Sequence, residues 1–234
     1  MAAEPLRGWF ITGTDTGVGK TVLAAAITAA LRRRDIPVRA LKPLITGLDD
    51  PPDPDWPPDH ELLARVAGTS AQEVNLVSYG PPVSPHLAAE LAGEPAPALD
   101  WLAQRIRAAV RPGEVAVVEG VGGLLVPLGP GGDVRDLAGS LGLPLLVAAR
   151  PGLGTINHTL LTLEAARSVG LAVAGVVLTP WPAQPSAIES SNRKTIAALG
   201  DTAVATLGAV ASADPAALAA AGDELPLDRW LRAG

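Results

Sequence analysis

The stretch Phe10-Ile11-Thr12-Gly13-Thr14-Asp15-Thr16-Gly17-Val18-Gly19-Lys20-Thr21 sets an apolar run, a glycine-rich turn and Gly-Lys-Thr in direct succession, and an alanine-rich segment follows. A strand that turns through glycines into a helix aims backbone N–H groups and the positive end of the helix dipole at one point, where a phosphate binds. Lys20 is then placed for the β- and γ-phosphates and the Thr21 hydroxyl for Mg²⁺. The spacing departs from G-x-x-x-x-G-K-[ST], because position 14 is threonine and the nearest earlier glycine is Gly13. Context outweighs that misfit: a strand before and a helix after make this a nucleotide-binding P-loop.

Working outward, short apolar runs alternate with helical stretches. The pattern predicts strands over Trp9–Thr12, Val38–Leu44, Val115–Glu119, Leu145–Ala149, Ala174–Leu178 and Ala203–Leu207. Helices are predicted over Lys20–Arg34, Glu61–Ala67, Leu99–Ala109, Asn157–Val169 and Ala187–Leu199. Strands apolar on both faces, separated by helices, imply an α/β fold: one domain over residues 1–234, a three-layer sandwich of P-loop NTPase type with a mainly parallel sheet and helices on both faces. The proline-rich run Leu48–His60 cannot be regular structure and is read as a mobile surface loop, because strand spacing resumes after it without a shift in composition.

Composition narrows the function. Hydrophobic residues make up 48% and aromatics only 3%, so the core is aliphatic. A net charge of −6 argues against nucleic acid as a partner, and Arg32-Arg33-Arg34 is read as a solvated helix end. The chain has no cysteine, which removes disulfides, thiolate metal sites and a cysteine nucleophile. No apolar run approaches the roughly 18 residues that span a bilayer, and the opening MAAEPLRGW lacks a signal pattern. A cytoplasmic location and no membrane partner are expected.

Further residues carry chemistry. Glu119 ends the run Val115–Val118, and Gly120, Gly122 and Gly123 after it let the backbone approach a ligand. A carboxylate in that position suits Mg²⁺. Asp59 leaves the proline-rich run at a helix start and is consistent with an N-cap or with a second metal carboxylate. Lys42, in Leu41-Lys42-Pro43-Leu44-Ile45-Thr46-Gly47, stands at the strand edge where open α/β sheets keep ligands. It is either a second phosphate-directed lysine or a solvated one. Gly152–Thr159 opens a helix, with Asn157 and free N–H groups fit for an anion or with Thr155 or Asn157 as a plain N-cap. Ser84 and Pro85 read as a helix cap and first turn, with His86 structural or beside substrate. The three histidines show no metal spacing.

Taken in order, TGTDTGVGKT, KPLITG, SPH, VEGVGGLLVPL and GLGTINHTLLT resemble the dethiobiotin synthetase family over about Phe10 to Val177. The resemblance implies an ATP- and Mg²⁺-dependent ligase that inserts CO₂ between the amines of 7,8-diaminopelargonic acid. It implies nucleotide contacts at Gly17, Val18, Gly19, Lys20, Thr21, Val22, Asp59, Glu119, Gly120, Val121 and Gly122, and Mg²⁺ at Thr21, Asp59 and Glu119. Lys42 corresponds to the catalytic lysine, acting with Lys20, while Thr46 and Ser84 are placed on substrate. Gly154, Thr155, Ile156 and Asn157 correspond to the segment that binds the diamine's carboxylate from the neighbouring subunit of a homodimer. Two departures stand out. Gly17 replaces a glutamate common in the family, so any contact made by that side chain is lost. Thr179-Pro180 replaces an Asn-Asp that reads adenine, which leaves base contacts to the backbone there and at Val210, Ala211 and Ser212. Another nucleoside triphosphate such as CTP is therefore expected to support turnover. Leu48–Asp59 is expected to order with Mg²⁺ and nucleotide. The alternative, a non-catalytic or regulatory ATPase of the partitioning type, carries a lysine in its loop where this chain has Asp15.

Overall fold

The structure is a computed structural model and describes residues 5–51 and 53–233. Met1–Glu4, at the start of the stretch read for a signal, and Pro52 in the proline-rich run lie outside the described residues.

The first strand, β1 (Gly8–Gly13), ends in the P-loop, and Gly19 (φ 93°) turns the chain into α1 (Lys20–Arg33). Then come β2 (Val38–Leu41), β3 (Leu44–Ile45), α2 (Asp59–Ala67), α3 (Ala71–Val74), β4 (Val77–Ser78), α4 (Pro85–Ala92) and α5 (Leu99–Ala109). The second half runs β5 (Val115–Gly123), β6 (Pro127–Gly129), β7 (Gly132–Asp133), α6 (Val134–Leu141), β8 (Leu145–Ala149), α7 (Thr155–Arg167) and β9 (Val173–Trp181). It closes with α8 (Ala187–Leu199), β10 (Val204–Gly208), α9 (Pro215–Asp223) and α10 (Leu227–Ala233). Among the described residues, six strands form one parallel sheet in the order β10-β9-β8-β1-β5-β2. The expected sandwich is present. No helix among the described residues is long and apolar enough to cross a membrane.

Burial on both faces explains the apolar strands. Trp9 and Ile11 of β1 join Leu23 and Ile27 of α1, Leu62 and Leu63 of α2, and Leu218 and Trp230 of α9 and α10 in one aliphatic layer. Phe10, one residue along and therefore facing the other way, joins Leu102 and Ile106 of α5, Leu137 of α6 and Leu163 of α7. Trp9 and Trp230 meet edge to face at 6.3 Å and pin α10 to β1. At the crossing of α1 and α9, Gly222 leaves room for the Ala26 carbonyl, which any β-carbon there would overlap.

Four expectations are corrected. Strand Val38–Leu44 is two strands, because Pro43 has no N–H for the ladder. The chain leaves the main sheet at Lys42, whose N–H bonds the Val74 carbonyl at 2.9 Å, and β3 pairs instead with β4. The fifth strand of the main sheet, β9, runs through the cis Thr179–Pro180 bond to Trp181, rather than stopping at Leu178. The arginines at the end of α1 are not simply solvated: Arg34 Nε donates to Asp223 Oδ1 at 2.9 Å, Arg33 also pairs with Asp223, and Arg32 reaches the Val66 carbonyl. They fasten α1 to α9 and α2. Finally, α3, α6, α9 and α10 add helices that the sequence reading did not include.

Candidate active site

The P-loop leaves β1 between β5 and β8, at the carboxyl edge where connections depart to opposite sides of the sheet. A cavity of about 640 Å³ opens there. Gly17, Gly19, Lys20, Thr21, Val22, Lys42, Thr46, Asp59, Ser84, Glu119, Val121 and Gly122 all line it. Residues spread over more than a hundred positions of sequence thus share one wall. Trp56, from the proline-rich run, lines the same cavity while resting partly buried on the core.

Each chemical group has a structural cause for its position. Glu119 stands opposite Ile11 in the β1–β5 ladder, under the P-loop, and is fully buried. The first residue of α2, Asp59, is delivered by Pro57-Pro58, and Pro58 rather than Asp59 is the N-cap. Lys42 sits at the break after β2. Its ammonium lies 2.5 Å from Asp59 Oδ2 and 2.5 Å from Glu119 Oε1. Thr21 Oγ1 donates to the same Glu119 oxygen at 2.9 Å. The other buried lysine, Lys20, folds back and donates to the Asp15 carbonyl at 3.0 Å. Ser84 occupies the N-cap position of α4 without a capping hydrogen bond, so its hydroxyl is available to the cavity. Apolar Ile45, Val83, Pro85 and Val126 complete the far wall.

The electrostatics follow from burial and pairing. Burial pulls Lys20 down to about 8, with Glu119 opposing and the Lys42 ammonium adding to the fall. Burial also works against the Lys42 ammonium, but the Glu119 and Asp59 carboxylates overcome it and hold the group above the ordinary lysine value. For Glu119, burial pushes the carboxyl up and Lys42 resists. Burial would raise Asp59 too, yet Lys42 and the Thr21 hydroxyl bring it below the usual value.

These groups fit Mg²⁺. Two carboxylates and a hydroxyl are hard oxygen donors, and Mg²⁺ takes few protein ligands, completing its shell with phosphate and water. Glu119 Oε2 is buried without a hydrogen-bond partner, an acceptor with spare capacity at that spot. Among the described residues no three His, Cys, Asp or Glu side chains form a metal cluster, so a full protein cage is not part of this site.

Other expected residues lie elsewhere. Val18 puts its side chain in the core. Gly120 leaves room for core packing: a β-carbon there would stand 2.9 Å from Phe10 Cε1 and 3.0 Å from Val134 Cγ1. Thr179 and Pro180 are the last residues of β9 before Trp181, beside the P-loop and outside the cavity wall, and Val210, Ala211 and Ser212 follow the neighbouring β10. Gly154 (φ 87°) is the N-cap of α7, with no side-chain cap from Thr155 or Asn157. Thr155 is buried and faces Thr159 Oγ1 at 3.4 Å. The Gly154–Asn157 segment does not line the cavity of its own chain. Sequence reasoning missed Trp56 and the apolar wall around Val83 and Val126; a tryptophan within a proline-rich run was the available signal for the first.

Comparison with known proteins identifies relatives of the whole chain. The profile of a family described as an AAA domain matches residues 7–215. A Mycobacterium avium (strain 104) protein named ATP-dependent dethiobiotin synthetase BioD is 46% identical over 212 residues, covering 90% of this chain and 89% of that one. The Mycobacterium marinum (strain ATCC BAA-535 / M) protein of the same name is 45% identical over 212 residues, with the same coverage. Its Mycobacterium leprae (strain Br4923) namesake is 42% identical over 215 residues, covering 90% and 92%. The crystal structure of a ParA family ATPase from Chlorobium tepidum TLS aligns with TM-score 0.49 and 12% identity, over 95% of this chain and 92% of that one. On sequence identity and coverage, the chain belongs to the dethiobiotin synthetase family.

Proposed function

We propose that the protein is an ATP-dependent dethiobiotin synthetase, a ligase of biotin biosynthesis that closes the ureido ring of dethiobiotin from 7,8-diaminopelargonic acid and CO₂, releasing ADP and phosphate. The observation that carries this reading is the meeting of two buried lysines and two carboxylates against the P-loop, beside an apolar wall. CO₂ taken up on one amine gives a carbamate, whose oxygen attacks the γ-phosphate. The second amine then displaces phosphate from the mixed anhydride. No protein nucleophile is needed, in keeping with a chain that has no cysteine. What the reaction does need is positive charge where carbamate and γ-phosphate meet, and a dry surface for the hydrocarbon chain.

Lys20 and the P-loop N–H groups hold the triphosphate, and Lys42 faces the carbamate and γ-phosphate. Thr46 and Ser84 orient the diamine, whose hydrocarbon lies on Ile45, Val83 and Val126. Thr21, Asp59 and Glu119 would hold Mg²⁺, which when bound would supply positive charge to the phosphates. The diamine's carboxylate is met by Gly154–Asn157 of a second copy in a homodimer. That placement is supported by the segment's absence from its own chain's cavity and by Leu153 beside it, 88% exposed. The reaction is placed in the cytoplasm.

The test is phosphate release from MgATP and bicarbonate, with and without 7,8-diaminopelargonic acid. Release that depends on the diamine, with dethiobiotin as product, is expected. Hydrolysis indifferent to the diamine rejects the reading.

A further inference from the structure

The site described above contains two cations' worth of work for one pair of carboxylates. The Lys42 ammonium is 2.5 Å from an oxygen of Asp59 and 2.5 Å from an oxygen of Glu119. Those two acids come from different parts of the fold, one from the first turn of α2 and one from the middle of the sheet. Glu119 Oε1, the oxygen that Lys42 holds, is also the one that Thr21 bonds.

A divalent cation on Thr21, Asp59 and Glu119 sits about 2.1 Å from its oxygens. The metal would take Glu119 through its unpartnered Oε2, and an ammonium kept on Oε1 of the same carboxylate would then stand within about 4 to 5 Å of it, where two cations in a partly dry site repel strongly. One of the two cations has to leave. Lys42 has a four-carbon stem and lines the open cavity, which gives it somewhere to go. Glu119, fully buried, is costly to leave without a counter-charge, so exchange of one cation for the other suits it better than a gap between them.

We propose that Lys42 and the divalent metal compete for the Asp59–Glu119 pair, so that metal loading with nucleotide releases the Lys42 ammonium into the cavity toward the carbamate. This rests on the metal site and the role of Lys42 assigned under the proposed function. The ammonium is held by carboxylates in the metal-free protein and freed for the reaction only when the phosphates and their metal are in place. Lys20 is not part of this exchange, because its partner is a main-chain carbonyl, Asp15 O.

The test is Mn²⁺ binding to the full chain without nucleotide, read by the loss of the free-Mn²⁺ electron paramagnetic resonance signal. Lys42→Gln keeps a hydrogen bond to the carboxylates but removes the charge; Lys42→Met is the second variant should the first fail to fold. Either is expected to bind Mn²⁺ about tenfold or more tightly than the wild type. Adding Glu119→Gln is expected to abolish the gain. Equal affinity in wild type and neutral variants, or a gain that survives Glu119→Gln, overturns the proposal. A parallel arm with a non-hydrolysable ATP analogue separates the two readings. If Glu119→Gln alone leaves Mn²⁺ binding there unchanged, the metal site itself is wrong. If Glu119→Gln weakens it yet Lys42→Gln gains nothing without nucleotide, only the exchange is wrong.

Discussion

Thr179 lies so close to Gly19 that a β-carbon on that glycine would stand 2.9 Å from Thr179 Cγ2. The end of β9 thus abuts the turn that binds phosphate, within reach of the rest of a nucleotide held there. Thr179 is 2% exposed and Pro180 has no N–H, so this edge offers a base mainly carbonyl acceptors. Carbonyls read an exocyclic amine, which adenine and cytosine share and uracil lacks. CTP is therefore expected to support turnover within about tenfold of ATP in kcat/KM, and UTP to fall well below both. Steady-state kinetics with the three nucleotides checks this, and an ATP preference much beyond tenfold over CTP would falsify it.

Lys42→Ala separates binding from chemistry. Lys20 and the loop N–H groups remain, so nucleotide affinity measured in chelator, without metal, is expected to stay within about threefold, while kcat falls by about a thousandfold for a lost charge at the reacting oxygens. Titration calorimetry beside single-turnover phosphate release makes the comparison. Matching losses in both would reduce Lys42 to a phosphate anchor.

Proton uptake should accompany nucleotide binding above neutral pH. In the metal-free protein burial holds Lys20 at about 8, so the free site loses this proton as pH rises through that value. A bound triphosphate favours the ammonium and draws the proton back. In chelator-containing buffers of different ionisation heat, calorimetry at pH 9 is expected to show uptake of close to one proton, and at pH 6.5 almost none. Affinity should fall by up to about tenfold per pH unit above 8. For folding the sign is opposite: the unfolded chain binds this proton up to the ordinary lysine value, so this group favours the folded state increasingly as pH rises from 8 to about 10.5.

Gly222→Ala tests the packing that supports α1. Its β-carbon would overlap the backbone of Ala26, which cannot swing aside as a side chain does. A loss of about 2–3 kcal/mol and a lowered melting temperature are expected. Gly120→Ala, against the ring of Phe10 and the methyl group of Val134, should cost less, because side chains yield sooner than a helix axis.

The sheet and the P-loop were legible because their signals are local: an apolar run, then glycines, then a helix former. The α6 helix had signals as well, with Asp133 and Asp136 forming a capping box and Val134, Leu137, Ala138 and Leu141 at helical spacing. Its eight residues follow Gly-Pro-Gly-Gly, which reads as a loop. Lys42 was identified as a residue at a strand edge, but its contacts were not readable. They depend on Pro43 ending the strand and on where Pro57-Pro58 deliver Asp59. Such distances belong to the tertiary fold. Gly120 shows the same limit, since a glycine that a neighbouring ring requires looks in sequence like one that a ligand requires.

Trp56 gives the site an optical reporter of its own. Trp9 and Trp230 are locked together in the core, and Trp101 lies on the surface against Arg105. Trp181, at the end of β9, packs partly buried against the other core layer and does not line the cavity. Trp56 touches the cavity three residues before Asp59, with its amide held by the Asp53 carboxylate at 3.2 Å. Any shift of this segment as ligands fill the cavity changes the polarity around that indole. Emission that Trp56→Phe removes would then follow loading of the site in real time, in unlabelled protein.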